Sequence, residues 1–322
     1  MIILTKYYER LGIEAERITV KEMRSINTIT VLALFLGLFS PWRLIAHPNG
    51  GIVVVGEGVC WSYIYPVDDV DHHACIFRWN QNDEPEVLIR SDYPASDYFL
   101  SSMEGTLYIV ERAFVRVNDT FKCRVLKLSE KGEAIEIWPW FEDPWRTAEG
   151  GFFMLSDTEL VFARYPKLYS PAKGGEPEVY FDFDHAVNKI RGLDNDEFLI
   201  LAEDNCFLVS GSGKILNEWR SLVEPTVENV PLNRNMVFDV DYRAGELLVA
   251  YWGNRSFLLM DSYGGRRTIV QRSAPFVPHW VAFVNNCELL FSSKMFFDSR
   301  PLKPHLIMHN GLGETQEVWT LE

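Results

Sequence analysis

The densest group of chemistry-bearing side chains in the sequence is Asp68-Asp69-Val70-Asp71-His72-His73. Carboxylates beside imidazoles can hold Zn²⁺ or Ca²⁺, but these crowd a single stretch and lack the spacing of established sites. The stretch reads as a solvated acidic loop, with Asp71, His72 and His73 as weak metal candidates. No G-x-S-x-G, H-E-x-x-H, P-loop or G-x-G-x-x-G phrase offers another route to catalysis. The expectation is therefore no catalytic residue, no metal and no cofactor.

A second kind of chemistry is more widely spread: carboxylates interleaved with aromatic rings in the irregular segments. Residues 57–73 carry Trp61, Tyr63, Asp68, Asp69 and Asp71, and residues 91–98 carry Tyr93 and Asp97. Residues 141–149 add Glu142, Asp143, Trp145 and Glu149, and later segments add Tyr169, Glu224 and Trp280. Rings that anchor and charges that steer are the composition of a protein–protein interface. We take these residues as candidate partner-binding groups on loops.

Bulk composition narrows the partner. The net charge is −14, which disfavours nucleic acid and anionic membrane as ligands, because both want Lys and Arg. The same charge suits a basic protein, since opposite potentials raise the encounter rate. The cysteines Cys60, Cys75, Cys123, Cys206 and Cys287 are odd in number, widely spaced and without a C-x-x-C pair. Reduced thiols in a cytoplasmic protein are the simplest account.

The scaffold that must hold these groups announces itself by repetition. A turn followed by an apolar strand occurs six times, at Pro48, Met103, Ser156, Asp194, Arg243 and Val284. Gly, Asn and Asp supply the positive φ of a tight hairpin, and the run behind it reads as a strand buried on both faces. Copies roughly 40–55 residues apart indicate a radial array of small sheets. Outer hairpin turns follow in register at Asn80, Ser129, Gly211, Ser262 and Asn310. The first-strand turns look short and plain, so the long loops at the other end are expected to carry function.

The N-terminal segment, 1–40, does not fit the repeat; its first residues admit a hairpin or an amphipathic helix. Its run Ile29–Phe39 falls short of the roughly 20 residues that span a bilayer. It suits a buried strand closing the ring; alternatively, residues 23–40 form a signal peptide and the protein is periplasmic. Residues 41–322 read as one domain.

This pattern resembles the β-propeller superfamily, nearer the NHL and SMP-30 style than WD40, with Pro41-Trp-Arg-Leu-Ile-Ala-His-Pro-Asn-Gly-Gly-Ile-Val-Val-Val similar to an inner-strand phrase. The resemblance implies an all-β fold: six blades, seven possible, of four antiparallel strands around a central channel. SMP-30-type lactonases hold a divalent metal through residues that include the Glu of a Glu-Gly-Pro phrase. The nearest phrase here, Gly56-Glu57-Gly58-Val59, lacks the Pro. In acidity the chain is similar to bacterial immunity proteins that neutralise a basic nuclease toxin. A non-enzymatic toxin-neutralising binder is the leading expectation; a lactonase-like hydrolase or a periplasmic carbohydrate-binding propeller are the alternatives.

Overall fold

A computed structural model describes residues 51–320, apart from 67–71, 81–82, 94–95, 116–119, 130–131, 143–149, 165–166, 172–176, 184–186, 194–195, 224–235 and 295–303. The expectations for the N-terminal segment therefore lie outside the described residues.

Every described element is a strand. The first sheet contains β1 (Ile52–Val55), β2 (Gly58–Pro66), β3 (His72–Asn80) and β4 (Glu86–Arg90). The second has β5 (Ser96–Met103), β6 (Thr106–Val115), β7 (Thr120–Leu128) and β8 (Ala134–Glu142). The third has β9 (Phe152–Ser156), β10 (Glu159–Arg164), β11 (Lys167–Pro171) and β12 (Pro177–Asp182). The fourth has β13 (Val187–Gly192), β14 (Glu197–Ala202), β15 (Asn205–Ser210) and β16 (Ile215–Trp219). The fifth has β17 (Val237–Arg243), β18 (Glu246–Tyr251), β19 (Ser256–Met260) and β20 (Arg266–Gln271). The sixth has β21 (Phe276–Val284), β22 (Cys287–Lys294), β23 (Pro304–Asn310) and β24 (Thr315–Thr320). Within each sheet the strands pair antiparallel in chain order.

The second strand of each sheet explains the architecture. Strand side chains alternate between faces, so a strand sandwiched between two neighbours is apolar over most of its length on both faces. In β18, Leu247, Val249 and Tyr251 join the core shared with the fourth sheet. Leu248 and Ala250 join the core shared with the sixth. In β14, Leu199 and Leu201 face the fifth sheet while Phe198, Ile200 and Ala202 face the third. Such junction cores link each sheet to the next, and one more joins the sixth back to the first. The chain is an all-β propeller.

That closing junction is a seam of rings. Trp319 lies 4.8 Å from Phe77, 5.6 Å from Trp61 and 5.8 Å from Tyr63, centroid to centroid. Trp280 meets Phe291 at 4.3 Å beside them. Each ring pair adds about 0.5–1.5 kcal/mol beyond its buried area. No described strand is shared across this seam.

Turn chemistry fixes the registers. Gly132, Gly213, Gly264 and Gly313, at φ 81–89°, each follow the outer-hairpin residue Ser129, Ser210, Asp261 or Asn310 by three positions. In each case the leading side chain accepts a hydrogen bond from the main-chain N–H four residues on. These are type I turns closed by a glycine bulge. One reading needs correction. The apolar run Ile52–Val55 is itself a first strand, and its hairpin turn is Gly56-Glu57, not the Pro48 turn. Turn residues flank that run on both sides, so pattern alone does not tell the two ends apart.

Candidate functional site

The aromatic candidates in the first and last sheets belong to the interior. Trp61, Tyr63 and Trp280 sit in β2 and β21, not in loops, and are 0, 7 and 2% exposed within the seam. Strand β2 runs for nine residues and alternates Val59, Trp61 and Tyr63 toward the sixth sheet, so its rings resemble a decorated loop only when pairing is unknown. They are core residues and leave no ring surface for a partner.

Other candidates are exposed or paired. Tyr93 is 43% exposed and stands edge-on to Trp140 at 5.2 Å. Asp97, on β5, accepts a bond of 2.8 Å from Arg112, whose guanidinium lies 4.7 Å over the Phe121 ring. Glu142 is exposed at the end of β8. Asp68, Asp69, Asp71, Asp143, Trp145, Glu149 and Glu224 lie outside the described residues. Tyr169 and His72 are placed on β11 and β3 by their backbone alone. The His73 ring is committed to the Ser91 carbonyl at 2.7 Å. No group of three His, Cys, Asp or Glu able to hold a metal occurs among the described residues. Glu57 is an exposed residue of the β1–β2 turn.

The axis of the ring is occupied by ionic side chains. Arg191, on β13, donates to Asp239 Oδ2 at 2.8 Å, and to the main-chain oxygens of Val281 at 2.9 Å and Ile52 at 3.2 Å. It also pairs with Asp241 Oδ1 at 3.1 Å. One guanidinium thus ties the fourth sheet to the fifth, sixth and first. Lys189 pairs with Asp239 Oδ1 at 2.8 Å. Burial pulls the Lys189 ammonium below its ordinary range, against the opposing pull of Asp239. The carboxylates also cap main-chain donors: Val281 N–H reaches Asp239 and Phe283 N–H reaches Asp241. Among the described residues, a cavity of about 90 Å³ lies at this level, bordered by His279, Lys189 and Phe238. Pockets that bury a drug-sized ligand run to roughly 300–1,000 Å³.

The end of the ring where first strands turn into second strands differs. Two adjoining concavities of about 490 and 670 Å³ open there. Both touch Gly105, Leu193 and Glu197; the larger adds Glu104 and Asp196, over Met103, Met154 and Leu155. Glu104 and Asp196 hold φ of 50° and 56°, a left-handed geometry that Gly or Asn adopts more easily than Glu. The cations in this lining are engaged: Arg191 as above, and Arg243 with the Asn285 carbonyl and the Phe283 ring. Around the rim, Asp157 is held by Lys127 at 2.9 Å and by the Tyr108 hydroxyl, and its carboxyl lies below the usual range for those reasons. Glu57 and Glu246 are exposed in neighbouring turns. At the same end, outer turns present Tyr263 and Leu312, 96 and 87% exposed. Their backbones are fixed by Asp261 and Asn310, whose side chains accept the N–H of Tyr263 and Leu312.

No protein-family model matches the chain, and neither does any curated protein. Solved structures do resemble it. Virginiamycin B lyase from Staphylococcus aureus is 13% identical, with a TM-score of 0.47 over 76% of this chain and 92% of that one. Saccharomyces cerevisiae Sqt1 is 10% identical, TM-score 0.45, over 86% and 97%. Puromycin hydrolase is 10% identical, TM-score 0.47, over 85% and 54%. The likeness is one of fold alone.

The acidic mouth was missed in the sequence although its signal sits in the repeat. The tight turns carry an acid in copy after copy: Glu57, Glu104, Asp157, Asp196 and Glu197, and Glu246. Read as turn formers they look plain. Read as a set gathered at one end of a ring, they are a charged rim.

Proposed function

We propose that the protein is a non-enzymatic binding propeller that engages a basic protein partner, of the kind exemplified by immunity proteins that neutralise a cationic toxin. The observation that carries this reading is the turn end of the ring. It combines an apolar-floored hollow, exposed carboxylates at Glu57, Glu104 and Glu246, and two rigidly presented apolar tips, Tyr263 and Leu312. Apolar anchors beside steering charge are what protein recognition uses. The cations of the axis, Lys189 and Arg191, are meanwhile balanced by Asp239 and Asp241, and the chain as a whole carries a net charge of −14.

The test is capture by the immobilised full chain from extract of its native host, at low and at high salt. A stoichiometric partner of high isoelectric point, released as salt screens the surface, is the expected result. Capture of only neutral or acidic proteins, or of none in stoichiometric amount, overturns the proposal.

A further inference from the structure

The hollow at the turn end has a chemistry more specific than general acidity. Its floor is apolar: Met154 is 3% exposed, and Met103, Leu155 and Leu193 pack on the cores beneath it. Its edge is lined by the acidic residues Glu104, Asp196 and Glu197, each without an ion-pair partner among the described residues. The Asp196 carboxylate lies against Gly211, where a Cβ would sit 2.2 Å from Oδ2, so any side chain at Gly211 would displace it. At about 670 Å³ the hollow is far larger than a single ion needs.

An apolar floor under an acidic edge matches a long side chain with an aliphatic stem and a cationic head. Lysine and arginine have that form: the methylenes bury on apolar surface while the charged end stays at the rim. An arginine would also gain paired hydrogen bonds from a carboxylate. Resting on the proposed function, we propose that this hollow is where the basic partner docks, by seating a lysine or arginine side chain of an exposed segment between Glu104 and the Asp196-Glu197 pair. The apolar tips Tyr263 and Leu312 flank the same end of the ring and supply lateral contacts.

The test uses the full chain with the partner captured from host extract. In one arm, Glu104→Gln, Asp196→Asn and Glu197→Gln are combined. A charge-matched control combines Glu86→Gln, Glu178→Gln and Glu203→Gln, all exposed and none lining the hollow. The hollow variant is expected to bind the partner at least about tenfold more weakly, with the control within about twofold of the parent. In the second arm, a carbodiimide links carboxylates to amines in contact within the native complex, and the joined peptides are mapped. The expected link joins Glu104, Asp196 or Glu197 to a lysine of the partner. Equal binding by the hollow variant and the parent overturns the docking site and leaves the proposed function standing. Links from these carboxylates to Lys6 or Lys21 of the same chain assign the hollow to the N-terminal segment and also overturn it. If the parent captures no basic partner, the functional reading itself fails.

Discussion

Replacing Arg191 by Met removes a side chain that reaches from its own sheet to three others, and the structure sets the size of the effect. The guanidinium satisfies Asp239, Asp241 and the carbonyls of Val281 and Ile52. After the change, Asp239, fully buried, still holds Lys189 and the Val281 N–H. Asp241 is left with the Phe283 N–H and no cation among the described residues. Breaking a buried ion pair from one side costs about 3–5 kcal/mol, chiefly through the charge left behind. With a urea slope near the upper end of the usual range, about 3 kcal/mol per molar, the unfolding midpoint should fall by about 1–2 M. The orphaned charge sits on Asp241, so adding Asp241→Asn to Arg191→Met should restore at least about 1 kcal/mol, because the amide oxygen still accepts from Phe283. Equilibrium urea unfolding followed by tryptophan fluorescence measures both. A midpoint for Arg191→Met within about 0.2 M of the parent, or a double variant less stable than the single one, would refute the claim that this ion cluster ties the ring together.

Two further outcomes follow from packing and burial. At Gly151, φ is +82° and an added Cβ would lie 2.3 Å from the Ile190 carbonyl oxygen, whereas Gly245, at φ +91°, faces open space. Gly245→Ala should cost about 1–2 kcal/mol from backbone strain alone, and Gly151→Ala clearly more; equal losses in thermal midpoint would contradict the close approach of the third and fourth sheets. Among the thiols, burial pushes Cys60 up to about 12, with Arg78 opposing, and also raises Cys206 and Cys75. Cys287 alone is half-buried. Native protein at mildly alkaline pH should therefore label at one fast thiol, mapped to Cys287, and at all five only after unfolding; early modification of Cys60 would count against its placement.

The fold was legible because its rule is local. A Gly, Asn or Asp turn before a run such as Leu247–Tyr251 signals a hairpin, and apolar side chains at consecutive positions signal burial on both faces. The site was much less legible. Trp61 and Trp280 carry the residue types of an interface, yet they fill a junction between sheets that are far apart in the chain. Which faces meet across such a distance is decided by ring closure, and single-strand periodicity carries no trace of it. Arg191 and Asp239 fail for the same reason: 48 positions separate two partners 2.8 Å apart. The acids of the turns were visible one at a time; only the common direction of the first strands makes them neighbours.

The way the circle is joined decides how it comes apart. Five of its six contacts have the polypeptide running through them, while among the described residues the sixth rests on tilted and edge-on rings and on an arginine reaching over from the far side. Dispersion forces fade steeply, a gap of about 1 Å giving up as much as half of the attraction. Heat or mechanical load should therefore part the molecule at Trp61, Phe77 and Trp319 first, opening the circle into an arc whose sheets stay folded. Among the described residues no strand is threaded through that junction, so such an arc recloses by bringing its two ends together.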